Sequence, residues 1–169
     1  MTREEIVAAL EALAAELHEL GIDGEMYVVG GAAIAIAFDA RRSTRDIDAV
    51  FEPKAAIYAA AERVGSQRGL PAGWLNDGVK GFLASPDPHA APVLERPGLR
   101  VLVASPRMLL ALKVLAHRIG EDEDDVRLLA AALGLRDAEA VLEVAETVFG
   151  DRLDAAARFF VEELLTEVA

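Results

Sequence analysis

Two aspartates, Asp46 and Asp48, stand one residue apart in the apolar run "DIDAVF". Side chains at i and i+2 of a strand point to the same face, so both carboxylates would converge on one place. Burying two like charges together is costly unless something binds them. Paired carboxylate oxygens suit Mg²⁺ or Mn²⁺, which completes its shell with water and substrate phosphates. The alternative is a strand edge that carries two solvated acids.

A double glycine, Gly30-Gly31, is separated from Asp46 by fourteen residues and lies at the predicted turn between the strand "MYVV" and the helix "AAIAIAF". Glycine at such a turn allows a phosphate to approach backbone N–H groups at a helix N-terminus. A tight turn without a ligand is the structural alternative. Arg41, Arg42 and Arg45, in the loop before the aspartates, could bind phosphates or merely offset nearby acids.

Downstream, Lys113 is the one charge within "MLLALKVLA", and "KVLAHR" ends at Arg118 before the acidic run Glu121–Asp125. Lys113 could be a cation for triphosphate oxygens or a lysine whose apolar stem packs on the helix. His117 reads as a polar helix face or a base. We expect Asp122, Glu123 and Asp124 to cap the next helix and to face solvent.

The segment "VVGG", the fourteen residues that separate it from "DID", and the segment "RRSTRDIDAVFEP" together resemble the signature of the nucleotidyltransferase (polymerase-beta-like) superfamily. The closest resemblance is to the AbiEii/MenT-like minimal nucleotidyltransferase toxins, over roughly residues 26–130. It implies transfer of a nucleotide from a nucleoside triphosphate to an acceptor hydroxyl, on RNA such as a tRNA 3′ end or on protein, by the toxin of a toxin–antitoxin pair whose antitoxin is encoded by an adjacent gene. The implied roles are metal binding by Asp46 and Asp48, catalysis by these two with Lys113 and Asp125, and nucleotide binding by Gly30, Gly31, Thr44, Arg45, Lys113 and Arg118.

The chain departs from the family pattern in two places. The strand "LRVLVAS" carries no third carboxylate, and Asp77 and Glu95 are weak substitutes in predicted loops. Gly31 replaces the serine of the Gly-Ser version. Two other functions therefore stay open: a catalytically inactive nucleotide-binding or regulatory module of the same fold, and a glycosyltransferase, which also uses D-x-D to hold a metal.

The elements that must position these residues are an α/β core at residues 1–104 and a helical region at 105–169 packed on it as one compact unit. The sequence predicts a first helix that is capped by Thr2 and Glu5, then strand, helix, strand, helix, and a further strand at "GLRVLVAS". Helices are predicted from Ser105 to Ile119 and at 122–133, 137–149 and 152–168. Residues 69–98 give no clear pattern beyond a possible short helix in "WLNDGVKGFL", and "SPDPHAAP" is predicted to be a loop.

Composition limits the partners. The net charge is −12, but residues 40–118 carry a net charge of +5, while residues 1–39 and 119–169 carry −7 and −10. The basic middle segment could guide RNA, and the acidic ends are expected to be solvated helices. The absence of cysteine excludes disulfides and thiolate metal sites. We expect no signal peptide or membrane span, and a cytoplasmic protein.

Overall fold

The computed structural model describes residues 1–38, 43–81, 83 and 86–166. The chain divides into two compact units, Met1–Leu83 with His89–Ala104, and Ala84–Pro88 with Ser105–Ala169. The described residues form a mixed α/β structure, as expected from the sequence. Among the described helices, none combines the length and the apolar character needed to cross a bilayer.

The first unit contains a mixed five-stranded sheet. Its elements are α1 (Arg3–Glu19), β1 (Gly24–Val29), α2 (Gly30–Ala37), β2 (Ile47–Glu52), α3 (Lys54–Arg68), β3 (Leu75–Asn76), β4 (Ala91–Arg96) and β5 (Leu99–Val103). The strand order is β3-β2-β1-β5-β4. β1 pairs antiparallel with β2 and parallel with β5. The chain therefore reverses direction between β1 and β2, next to the residues that are predicted to form the site.

One face of the sheet is packed by α1 and α3. Side chains from both helices, Leu17 and Ile57, reach Gly24 at the start of β1. Along β2 the side chains alternate as predicted: Ile47, Ala49 and Phe51 are buried, whereas Asp48 and Val50 are half-buried. Because cross-strand partners share a face, Asp48 lies on the face opposite to α1 and α3.

The capping box that was predicted at the first helix is confirmed. Thr2 Oγ1 accepts a hydrogen bond from Glu5 N, and Glu5 Oε2 accepts one from Thr2 N. The apolar stripe behind it is fully buried and supplies much of the first core. It consists of Ile6, Leu10, Leu13 and Leu17.

Two strands were not predicted. β4 has one buried residue, Leu94, among six, so it lacks the alternation that marks a strand in sequence. This overturns the loop prediction where "SPDPHAAP" reaches Ala91 and Pro92. β3 is only two residues long and is preceded by Trp74, which is 3% exposed and donates from Nε1 to the Ala61 carbonyl oxygen at 3.0 Å. The possible helix after it is a single 3-10 turn at Gly78–Gly81.

The second unit is helical. It contains α4 (Pro106–Ala116), α5 (Glu123–Ala132), α6 (Ala138–Phe149) and α7 (Ala155–Thr166). Ser105 caps α4 through a hydrogen bond from Met108 N, as the Ser-Pro pair predicts. α4 ends at Ala116 rather than at the predicted Ile119, because His117 adopts a left-handed conformation with φ 35°.

Candidate nucleotide site

The turn after β1 brings the backbone against Asp48. Asp48 lies opposite Val29 in the β1–β2 ladder, and Gly30 follows directly with φ +64°. A Cβ atom at Gly30 would lie 3.0 Å from Asp48 Oδ2. Glycine therefore serves both the left-handed backbone and the close approach of the chain to the carboxylate.

Gly31 makes the corresponding close approach to Thr44. A Cβ atom at Gly31 would lie 3.0 Å from Thr44 Oγ1. The Thr44 hydroxyl donates to the Asp46 carbonyl oxygen at 3.1 Å. The loop that carries the aspartates is thus held beside the N-terminus of α2, where the helix dipole and its unpaired N–H groups favour an anion.

Asp46 occupies a bend one residue before β2, whereas the D-x-D pattern predicts that it lies within the strand. Its orientation is set by Asn76, whose Nδ2 donates to Asp46 Oδ2 at 3.1 Å. Asn76 is paired with Asp48 in the parallel β2–β3 ladder. The Asn76 side chain therefore lies beside both aspartates on one face of the sheet.

Sequence analysis did not identify Asn76. Its other amide atom, Oδ1, accepts a hydrogen bond from Gly78 N at 3.2 Å, which fixes the amide orientation. The available signal was a polar residue directly after "WL", but a two-residue strand gives no periodicity from which to infer its partner.

The two acids named as substitutes for a third carboxylate are both engaged elsewhere. Asp77 accepts a hydrogen bond from the Tyr58 hydroxyl at 2.7 Å and forms an ion pair with Lys54. Hydrogen bonds from Lys54 and then from Tyr58 lower the pKa of Asp77. Glu95 lies exposed in β4, 3.3 Å from Arg100 Nε.

The donor set fits a small divalent cation. Asp46 and Asp48 carry hard carboxylate oxygens at the start of β2, and the Gly30 backbone lies so close to Asp48 that a Cβ atom there would be 3.0 Å from Oδ2. Mg²⁺ is commonly held by one or two carboxylates together with substrate phosphates. Within the described ranges, no group of three or more His, Asp or Glu residues converges on one point.

The remaining loop residue of the predicted site, Arg45, is exposed. It lines a cleft together with Thr44 and Asp46. Arg41 and Arg42, which were predicted as alternative phosphate contacts, lie outside the described residues.

In the second unit, the Lys113 side chain is buried, and its ammonium group does not extend into solvent as the packed-stem alternative would require. Its Nζ lies 2.6 Å from Asp122 Oδ1 and 2.8 Å from Asp125 Oδ2. Two of the three ammonium donors are therefore directed at carboxylates. Of the predicted residues, Lys113 contacts Asp125 directly, and Arg118 is joined to Lys113 through a fourth residue, Asp122.

Asp122 corrects the sequence interpretation of the acidic run. It was expected to cap a helix and to face solvent, but it is 0% exposed and its side chain makes no capping hydrogen bond to α5. It accepts hydrogen bonds from Arg118 N, Nε and Nη2 at 3.0–3.1 Å, in addition to the one from Lys113. Burial alone would raise the pKa of Asp122, but the hydrogen bonds from Arg118 and Lys113 outweigh it, and the pKa is lowered.

The neighbouring acids behave differently. The Asp124 side chain is 82% exposed, as expected, and lies 3.5 Å from Arg127. Glu123 accepts a hydrogen bond from Gly120 N at 2.6 Å and so closes the loop before α5. His117, named as a possible base, has its Nδ1 atom 3.0 Å from the Leu115 carbonyl oxygen and its ring near Phe160.

The chain matches no protein-family model, no curated protein and no solved structure. Its function is therefore inferred from the chemistry of its own residues. The arrangement that can act on a ligand in the first unit is the glycine turn with Asp46, Asp48 and Asn76. In the second unit, the buried side chains of Lys113, Asp122 and Asp125 pair with one another, and the exposed Arg118 binds Asp122; these four residues are the lysine–aspartate cluster.

Proposed function

We propose that the protein is a Mg²⁺-dependent nucleotidyltransferase of the nucleotidyltransferase fold, which moves a nucleotide from a nucleoside triphosphate to an acceptor hydroxyl. One observation carries the proposal: the Asp48 carboxylate lies so close to Gly30 that a Cβ atom there would be 3.0 Å from Oδ2. A carboxylate pressed against a glycine turn at a helix N-terminus places metal-binding oxygens beside phosphate-binding N–H groups. A carboxylate pair or a glycine turn alone would not indicate a nucleotide site.

In this proposal each side chain has a defined task. Gly30 and Gly31 let phosphates lie over the turn, Thr44 fixes the loop, and Asp46 and Asp48 hold the cation. The bound cation neutralises phosphate charge and orients the reacting groups. Asn76 keeps the Asp46 carboxylate directed toward the site, so that no reorganisation is needed when substrate binds.

The test uses purified protein with Mg²⁺, each of the four α-labelled nucleoside triphosphates, and either total tRNA or a protein extract as the acceptor. We expect label in one acceptor fraction, and we expect Asp48→Asn to lower the rate by about 100-fold or more. Glu52→Gln is the matched control, because it removes an exposed carboxylate from the same strand. Equal labelling by wild type and Asp48→Asn would falsify the proposed function.

The lysine–aspartate cluster favours a second candidate, a nucleotide-binding module without turnover. A Lys113 ammonium that is already paired with two carboxylates has less positive charge to offer a triphosphate. Nucleoside triphosphate binding by calorimetry, with no transfer to RNA or protein, would establish this candidate. A Lys113→Met variant then separates the roles, because a triphosphate contact predicts weaker nucleotide binding, whereas a purely structural role predicts lower stability only.

We also propose that the protein acts as the toxin of a toxin–antitoxin pair. The support is the resemblance of "VVGG" and "RRSTRDIDAVFEP" to that family, together with the glycine–aspartate arrangement. Induced expression should arrest growth, Asp48→Asn should not, and co-expression of the adjacent gene should restore growth. Equal growth of cells that express wild type and variant at matched levels would remove this role.

A further inference from the structure

A cleft of about 730 Å³ opens beside Asp46 in the first unit. Its walls are the start of α1, the loop before β2 and the loop that follows α3, residues 69–73. Ligand sites of nucleotide size commonly have volumes of about 300–1,000 Å³. The cleft is therefore large enough for a nucleotide or a chain of phosphates.

In this cleft the carboxylate groups accept hydrogen bonds, whereas the guanidinium groups do not donate any to described residues. Its two carboxylates already accept hydrogen bonds: Glu5 from Thr2 N at 2.7 Å and Asp46 from Asn76 at 3.1 Å. Its two guanidinium groups, on Arg45 and Arg68, are exposed, and neither forms an ion pair or hydrogen bond with any described residue. The charge that lacks a partner in the cleft is thus positive, and it is carried by the side chain best suited to phosphate.

The cleft also shares two residues with the candidate nucleotide site. Thr44 and Asp46 line it, and Thr44 Oγ1 is the atom that a Cβ at Gly31 would approach. A ligand in the cleft would therefore reach Asp46, one of the two carboxylates to which the proposed function assigns the cation.

We propose that this cleft is a phosphate-binding subsite in which Arg45 and Arg68 bind the phosphate oxygens of a ligand that reaches Asp46. The role of this subsite in nucleotide transfer rests on the proposed function, whereas phosphate binding by the two arginines does not. Two sources supply the same chemistry: the triphosphate tail of the donor nucleotide, and the phosphodiesters of a single-stranded acceptor.

The test is equilibrium binding by calorimetry with two probes, inorganic triphosphate and a single-stranded oligonucleotide without terminal phosphates. The variant is Arg45→Gln/Arg68→Gln, and the matched control is Arg107→Gln/Arg136→Gln, which removes two exposed arginines from the second unit. We expect wild type to bind at least one probe, and the cleft variant to raise its dissociation constant by about tenfold for each arginine. For the oligonucleotide, the slope of log K against log salt should fall by about 1.4. The control should stay within about twofold.

Loss of triphosphate binding assigns the subsite to the donor, and loss of oligonucleotide binding assigns it to the acceptor. The inference is overturned if the cleft variant and the control change binding equally, or if wild-type protein binds neither probe. It is also overturned if wild type transfers label only to protein acceptors and this transfer does not depend on Arg45 and Arg68. Failure of the proposed function looks different: transfer is absent, or insensitive to Asp48→Asn, while arginine-dependent binding persists.

Discussion

At the scale of single residues, Gly30 carries the most specific prediction. Gly30→Ala places a Cβ atom 3.0 Å from Asp48 Oδ2 and strains a backbone at φ +64°, at a cost of about 1–2 kcal/mol. We expect nucleoside triphosphate binding, measured by calorimetry, to weaken by at least about tenfold. Gly21→Ala is the control, because Gly21 has φ +67° in the same unit and nothing within 4 Å of its Cβ position. If both variants bind nucleotide equally well, the contact with Asp48 has no role in the site.

Asp122 is the residue whose loss should most affect stability. Asp122→Asn removes one of the two carboxylates that pair with the buried Lys113, and a hydrogen bond to a charged group contributes about 1.5–3 kcal/mol. The free energy of unfolding by urea should fall by this amount at pH 7. Asp124→Asn, whose side chain is 82% exposed, should change it by less than about 0.5 kcal/mol.

The pH dependence of that effect has a definite sign. The pKa of Asp122 is lowered in the folded protein, so its ionised form adds stability above the unfolded-state pKa of about 3.9. That contribution is lost as the pH falls from there through the folded-state pKa. The difference between wild type and Asp122→Asn should therefore be largest near neutrality and shrink below about pH 4, and a difference that grows on acidification would contradict the assignment.

The acidic run also shows what local sequence cannot decide. Asp122, Asp124 and Asp125 have similar neighbours in "EDEDD", yet one is fully buried and another is mostly exposed. The difference arises from Lys113, nine residues earlier, which approaches Asp122 only after α4 and α5 have formed. The alternation of buried and half-buried side chains along β2 was predictable because it is a local property, whereas the bend that leaves Asp46 just outside the strand was not.

At the scale of elements, the short strand β3 is the part of the site that sequence analysis missed, and it predicts a role for Asn76. Asn76→Ala removes the hydrogen bond to Asp46 Oδ2, and loss of such a supporting contact typically weakens metal binding by about 10–100-fold. The change in metal binding can be measured as the Mn²⁺ affinity by electron paramagnetic resonance, which does not require catalytic activity. Unchanged affinity would show that the Asn76 contact does not orient the metal ligand.

Asn76→Asp gives an independent readout at the same position. A carboxylate there would add a third hard oxygen ligand and a further negative charge beside Asp46. We expect Mn²⁺ to bind more tightly to this variant than to wild type in the same resonance titration. Unchanged Mn²⁺ affinity would mean that the side chain at 76 does not face Asp46 in solution.

The elements with strong patterns were predicted well, and those without were not. α1 has a capping box and an apolar stripe, so both its start and its buried face follow from sequence. β4 is an edge strand with one buried residue in six, and its pairing with β5 becomes evident only once the sheet has formed. The positions of α5, α6 and α7 were predicted: the end of α6 agrees, the start of α6 and both ends of α5 differ by one residue, and the start of α7 differs by three. The predicted end of α7 lies outside the described residues.

At the scale of the whole molecule, the dominant property is a net charge of −12. Repulsion among these charges opposes the compact state and is screened by salt. We expect the midpoint of thermal unfolding to rise by about 2–4 °C between 20 and 200 mM NaCl, equivalent to roughly 1 kcal/mol.

A charge variant checks the cause of that shift. Glu143→Gln/Glu162→Gln removes two exposed carboxylates, on α6 and α7, and neither has a described ion-pair partner. It should raise the midpoint at 20 mM NaCl and have a smaller effect at 200 mM. A fall of the wild-type midpoint with salt would instead mean that surface ion pairs outweigh the repulsion.

The buried Trp74 makes the site observable without labels. It is the only tryptophan in the sequence, and it lies two residues before Asn76 with its indole N–H held by Ala61. Its intrinsic fluorescence therefore comes from a single place, where α3 meets the short strand that supports Asp46. Any ligand that tightens or displaces that strand should change the wavelength or intensity of emission, so Mn²⁺, nucleotides and oligonucleotides can be screened by optical titration of the unmodified protein.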